Sequence, residues 1–185
     1  MSTKKEIRKT VRAALAAMSA DEKRAEARQV SMLVLRHPAI KSARTVALFA
    51  SLPDEIDTST LLQTLSREAR IVLPRINGDS MDFYPYAPEA MQRGFMGISE
   101  PEGLVPVAPA EIDVMILPGV AFTPDGGRLG RGKGYYDKYL SRSGFRARTI
   151  GICHSVQLLR SLPEEPHDKR LDEVIAAPLT QPSTI

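Results

Sequence analysis

Short apolar runs alternate with segments of helical periodicity along this chain, and no other feature restricts the fold as strongly. Residues 45–50 (Thr-Val-Ala-Leu-Phe-Ala), 71–73, 112–117, 147–153 and 173–177 are apolar stretches of strand length. Helical patterns or loops separate them. Strands that are apolar on both faces need cover on both faces. The expectation is therefore an α/β fold with a largely parallel sheet and helices on either side, a Rossmann-like three-layer arrangement. A length of 185 residues suits one domain spanning 1–185 with a single sizeable core.

Two helices should open the chain. Thr3 with Glu6, and Ser19 with Glu22, are capping-box pairs whose side chains satisfy free backbone N–H groups. Ile7, Val11, Leu15 and Met18 then recur at helical spacing. The second helix should stop at His37, because Pro38 disfavours helical geometry in the residue before it. A loop is expected at 52–57, a helix at 58–69 and a short strand at 81–86. Residues 87–109 carry four prolines and three glycines and read as irregular. A helix should start at Tyr135 and end before Gly144, and a short one should cover 156–162.

Composition narrows the function. No run of about 18 apolar residues is present, so no membrane span is expected. The first residues lack the apolar core of a secretory signal, and the one cysteine, Cys153, has no disulfide partner. The expected address is the cytoplasm. Lysine plus arginine exceed aspartate plus glutamate by 25 − 22 = +3, too small a bias for an obvious nucleic-acid surface. The cations are clustered, however. Nine basic residues, Lys4, Lys5 and Arg8 among them, stand against four acids in residues 1–36. Arg128, Arg131, Lys133 and Lys138 surround a glycine-rich stretch. Two such clusters suit a small polyanionic ligand, or two anionic ligands side by side. A solvated helix face is the alternative for the first cluster.

The informative segment runs from Leu117 to Tyr139, L-P-G-V-A-F-T-P-D-G-G-R-L-G-R-G-K-G-Y-Y-D-K-Y. Five glycines (Gly126, Gly127, Gly130, Gly132, Gly134) lie within nine residues and are interleaved with three cations. Glycine lets backbone N–H groups converge on a ligand with no Cβ in the way. A helix beginning at Tyr135 would turn its positive end toward the same loop. Gly127 with Gly132-Lys133 fits the first seven positions of the P-loop pattern, but the Ser or Thr that should follow is Gly134. The dinucleotide pattern G-x-G-x-x-G is also absent. The segment therefore reads as a phosphate site whose metal ligands lie elsewhere. Mg²⁺ takes carboxylates together with phosphate oxygens and water. Asp137 is one candidate ligand, and Asp168 and Asp172 are others. A helix-end charge for Asp137, and capping or salt bridging for Asp168 and Asp172, are the competing readings.

Taken together, Gly127 to Asp137, G-R-L-G-R-G-K-G-Y-Y-D, resembles the signature of the 5-formyltetrahydrofolate cyclo-ligases, and the likeness runs along nearly the whole chain. Lys4-Lys5-Glu6-Ile7-Arg8 is similar to the family's K-x-x-x-R element, and Ser51-Leu-Pro-Asp-Glu55 to its substrate loop. Met81-Asp82-Phe83-Tyr84 and Gly97-Ile-Ser-Glu100-Pro101 resemble its pterin-side segments. His167-Asp168 followed by Asp172-Glu173 resembles its C-terminal element. The resemblance implies an ATP- and Mg²⁺-dependent closure of 5-formyltetrahydrofolate to 5,10-methenyltetrahydrofolate. It implies that Lys4, Lys5, Arg8, Arg128, Leu129, Gly130, Arg131, Gly132, Lys133, Gly134, Tyr135 and Tyr136 hold ATP. Arg131, Gly132, Lys133, Gly134 and Tyr135 would also touch the folate, with Ala50 and Glu55 completing its pocket. Phe83 and Tyr84 would stack on the pterin, although an alternating strand would bury one of them in any case. Asp137 and Asp168 would bind Mg²⁺, and Arg131 and Lys133 would act in catalysis. The expected partners are small molecules, with no nucleic acid and no membrane, and the expected state is a monomer. The rival readings are a relative with the same ATP site and another anionic substrate, and a nucleic-acid-binding module.

Overall fold

The structure is a computed structural model, and it describes residues 3–93, 99–101 and 105–178. The opening helices form where the capping boxes place them. α1 spans Lys4–Ala17 behind Thr3, and α2 spans Ala20–Arg36 behind Ser19, with the reciprocal side-chain and backbone bonds present in both. α2 does end at His37, but the chain turns at once into α3, Pro38–Ser42. Pro38 cannot continue one helix yet is pre-set to begin the next, and the His37 Nδ1 accepts the Ala39 N–H.

The central sheet has six strands in the order β10-β9-β6-β1-β2-β3. β1 is Thr45–Ala47, β2 Arg70–Asn77, β3 Ser80–Pro85, β6 Val114–Leu117, β9 Arg148–Cys153 and β10 Glu173–Ala176. All neighbours are parallel except the antiparallel edge pair β2–β3. The remaining elements are α4 at Ser59–Leu65, the pair β4 (Met91–Arg93) and β5 (Ser99–Pro101), the small hairpin β7 (Ala121–Phe122) with β8 (Arg128–Leu129), and α5 at Tyr135–Leu140.

Strand periodicity divides the core between the two faces. On β6, Val114 and Ile116 join α2's Ala27, Val30 and Val34 on one face, whereas Met115 and Leu117 join α5's Tyr139 on the other. A smaller cluster seats α1 through Val11 and Leu15 on Val120, Ala121 and Leu129 of the hairpin. The α/β reading is borne out, with corrections in detail. β2 runs on to Asn77 through Pro74, because the parallel ladder with β1 has already ended at Ala47 beside Val72. The expected helix at 156–162 is only one 3-10 turn, Ser155–Gln157, and within 87–109 the chain forms β4 and β5.

Candidate functional site

Where the parallel strands end, a cleft of about 750 Å³ opens between α1, the segment after β1, the glycine loop and the segment before β10. It gathers residues from seven separate stretches of sequence. Lys4, Lys5 and Arg8 come from α1, Ala50 and Glu55 from the segment after β1, and residues 128–137 from the glycine loop and the start of α5. Asp168 closes the fourth side. Every residue that the family resemblance assigns to the nucleotide or the metal lines this one space, whereas the further candidate Asp172 does not.

Four of the cations are held in place by specific partners. Arg8 donates its Nε to the Gly130 carbonyl at 2.8 Å, which ties α1 to the loop. Lys4 Nζ lies 2.7 Å from Asp168 Oδ2 and 3.2 Å from Glu165 Oε2. Burial alone would lower the Lys4 pKa, but the two carboxylates outweigh it and raise it. Arg128 donates to both oxygens of Asp137, and Arg131 bridges Asp54 at 2.5 Å and Glu55 at 3.1 Å. Lys133 is exposed and has no ion-pair partner among the described residues, so its ammonium is open to a ligand.

The Arg131 pair is asymmetric. Burial raises the Glu55 pKa despite the Leu52 N–H and the guanidinium, whereas at Asp54 burial is outweighed by the Arg131 hydrogen bond and charge, which hold that carboxyl below its ordinary value. Tyr136, next along the wall, has its phenol pushed well up by burial. Beyond Glu55 the cleft becomes apolar, lined by Phe49, Leu52, Pro74, Ile76 and Met81, with the buried Glu100 among them.

The remaining expected residues lie elsewhere. Phe83 is 1% exposed and packs edge-on against Tyr139, with ring centroids 4.8 Å apart. Tyr84 carries the Arg75 guanidinium 3.7 Å above its ring and is likewise outside the cleft lining. Asp172 accepts the Thr149 N–H and hydroxyl at 2.7 and 2.8 Å and braces β9. Phe95, Met96 and Gly97 fall outside the described residues. Arg12, Glu165 and His167 also line the cleft, although the sequence reading gave them no role of their own. Arg12 stands one turn beyond Arg8, so Lys4, Arg8 and Arg12 share a helix face, a spacing that was legible. Glu165 and His167 join Asp168 in a cluster whose ligand atoms lie within 4.8 Å of one another, and only the fold shows that this segment meets Lys4.

Geometry of this kind suits a polyanion at the cationic end and a flat, partly apolar molecule at the other, with Arg131 and Glu55 where the two meet. Comparison with known proteins gives the same direction. The 5-formyltetrahydrofolate cyclo-ligase family model matches residues 1–177. The mouse 5-formyltetrahydrofolate cyclo-ligase is 29% identical over 94% of this chain and 93% of its own length. The Escherichia coli K12 protein of that name is 31% identical over 86% and 92%. Among solved structures, the Aquifex aeolicus 5,10-methenyltetrahydrofolate synthetase superposes with a TM-score of 0.85 at 31% identity, covering 94% of this chain and 89% of that one. A Mycoplasma pneumoniae 5,10-methenyltetrahydrofolate synthetase gives 0.76 at 27% identity, covering 94% and 98%. On this match of fold, site and sequence, the chain belongs to the 5-formyltetrahydrofolate cyclo-ligase family, a family of ligases.

Proposed function

We propose that this chain, acting as a single cytoplasmic domain, uses ATP to cyclise 5-formyltetrahydrofolate to 5,10-methenyltetrahydrofolate, releasing ADP and phosphate. The observation that carries the proposal is the continuity of one cleft from a cation cradle to an apolar pocket, joined at Arg131 and Glu55. The triphosphate lies against Lys4, Lys5, Arg8 and residues 128–136. The folate occupies the end formed by Ala50, Glu55, Phe49, Ile76 and Met81, and its formyl group faces Arg131 and Lys133. Phe83, beneath this floor, supports the pocket through packing rather than contact.

In the reaction the formyl oxygen attacks the γ-phosphorus and the bond to ADP breaks. N10 then adds to the activated carbon and loses its proton, and the former formyl oxygen departs within phosphate. An amide oxygen is a poor leaving group and phosphate a good one, which is why ATP is consumed. The protein's task is to align the reactants and neutralise charge. Lys133, with its ammonium uncommitted, and Arg131 meet the negative charge on the transferring group. Asp137 and Asp168 would supply the hard oxygens that Mg²⁺ prefers, and Glu165 lies beside Asp168. Asp168 Oδ1 accepts no hydrogen bond among the described residues, with His167 Nε2 3.9 Å away, so this carboxylate has a free face. The bound ion would neutralise phosphate oxygens. A formyl group labelled with ¹⁸O tests the route: the label should appear in inorganic phosphate, and its retention in water or ADP contradicts the phosphorylated intermediate.

A further inference from the structure

Beneath the glycine loop lies a buried polar array that this chemistry leaves unused. Glu26 of α2 is 4% exposed. Its Oε2 meets His154 Nδ1 at 2.8 Å and accepts the Ser155 N–H at 3.1 Å, while the Ser155 hydroxyl donates to Oε1. The His154 N–H donates to Gln157 Oε1 at 2.9 Å. Gln157, 1% exposed, then donates its Nε2 to the Gly119 carbonyl at 2.9 Å and the Val120 carbonyl at 3.1 Å.

Those two carbonyls belong to the base of the phosphate cradle. The Val120 N–H donates to Leu129 O at 2.7 Å, so the segment that Gln157 grips, which leads into β7, is tied to the strand that carries Arg128. Pro118 and Gly119 line the cleft beside Arg128 and Leu129, and the Pro118 carbonyl faces Arg128 Nη1 at 3.5 Å. A Cβ on Gly119 would come within 2.6 Å of the Phe122 ring, so this backbone packs closely on that ring. α1, which brings Lys4 and Arg8, packs on the same hairpin through Val11 and Leu15, with Val156 and Leu159 of the gripping segment against the same cluster. Both cationic walls therefore rest on one unit, and one amide side chain fixes that unit's height. Burying an amide is costly unless its hydrogen bonds are made, and a site needing only volume is filled as well by leucine or methionine.

We propose that Gln157 is a positioning residue for the nucleotide: by holding the Gly119 and Val120 carbonyls it sets where Arg128 to Lys133 meet the phosphates. Glu26, His154 and Ser155 fix Gln157 from behind. The inference rests on the reading of the cleft as the ATP site. The test is calorimetric titration of a non-hydrolysable ATP analogue with Mg²⁺ into the full chain, alongside steady-state kinetics. Gln157→Met keeps the volume and removes both donated bonds. The analogue's Kd and the KM for ATP should rise about tenfold, equivalent to about 1.4 kcal/mol. The kcat at saturating ATP and the KM for 5-formyltetrahydrofolate should stay within about twofold, well under that energy. A lower Tm with unchanged ATP affinity would show a purely structural residue and overturn the proposal. If Gln157→Met does not fold, Glu26→Gln decides by the same readout, with weakened ATP binding supporting the proposal and unchanged binding overturning it. A wild-type chain that fails to bind the analogue overturns the ATP reading and this inference with it, whereas a wild type that binds and a variant that binds equally well overturn this inference alone.

Discussion

Arg128 donates Nη2 to both carboxylate oxygens of Asp137 at 3.0 Å, with 3% of the arginine side chain and 20% of the aspartate exposed. This relationship changes the part each plays. Arg128 is a buried brace with a fixed partner, and Asp137 is a carboxylate whose orientation is set from behind. Removing one member of such a pair leaves the other charged and desolvated. Asp137→Asn should therefore cost about 3 kcal/mol of stability and raise the Mg²⁺ concentration needed for half-maximal activity. Urea unfolding and a metal titration read these separately. An unchanged titration would transfer the metal role to Asp168 and Glu165.

Lys133 presents the opposite case. It is exposed and without an ion-pair partner among the described residues, so its removal leaves no buried charge behind. Lys133→Ala should lower the rate on the order of 10²–10³-fold, the range found for losing one charge-stabilising donor, with Tm unchanged. A near-normal rate would remove it from the chemistry.

The pairing of Lys4 with Asp168 predicts a pH dependence of definite sign. Burial acting alone would raise the Asp168 carboxyl, but the Lys4 hydrogen bond, the Glu165 N–H and the Lys4 charge hold it below its ordinary 3.8. The folded value lies below the unfolded one, so this stabilisation is present above 3.8 and is lost as the pH falls through the folded value. Burial raises Glu55 above 4.5, so its contribution is present below 4.5 and fades as the pH rises through its folded value. Urea midpoints measured against pH should show a shallower acid loss in Lys4→Met than in the wild type. Parallel acid limbs would contradict the pairing.

Two glycines of the loop should differ in what they tolerate. Gly126 has φ +92°, and a Cβ there would lie 2.1 Å from the Leu171 carbonyl oxygen, a backbone atom whose residue also donates its N–H to Gly126 O at 2.8 Å. Gly134 has φ +70° with no atom within 4 Å of an added Cβ. Gly126→Ala should cost at least about 3 kcal/mol, from strain plus collision. Gly134→Ala should cost about 1–2 kcal/mol, from the left-handed backbone alone. Equal losses in chemical denaturation would mean that the loop base is not locked on Leu171.

Much of this was legible because the signals were local. The Thr3–Glu6 and Ser19–Glu22 boxes fix two helix starts by bonds within one turn, and the apolar runs of β6 and β9 need no distant information. The start of α5 follows Gly134, as the end of the glycine run suggested. What stayed hidden depends on pairing across the fold. The β7–β8 hairpin is only two rungs long, and β4 finds β5 across intervening chain. Asp54 and Glu55 are adjacent acids in sequence, and only the fold shows that Glu55 is the more deeply buried of the two beside Arg131. Phe83 and Tyr84 illustrate the limit of motif transfer: the strand was found, but alternation and Tyr139 decide which way its rings pack.

The central claim is that one cleft binds ATP and a formylated folate and joins their chemistry. Its most direct test is to mix the purified chain with 5-formyltetrahydrofolate, ATP and Mg²⁺ and follow the near-ultraviolet absorbance of methenyltetrahydrofolate. The account predicts growth of that band only when ATP is present, with one ADP formed per product, and its loss on addition of EDTA. A chain that binds ATP yet forms no methenyltetrahydrofolate would contradict it, and would mean that the cation cradle serves a different anionic substrate.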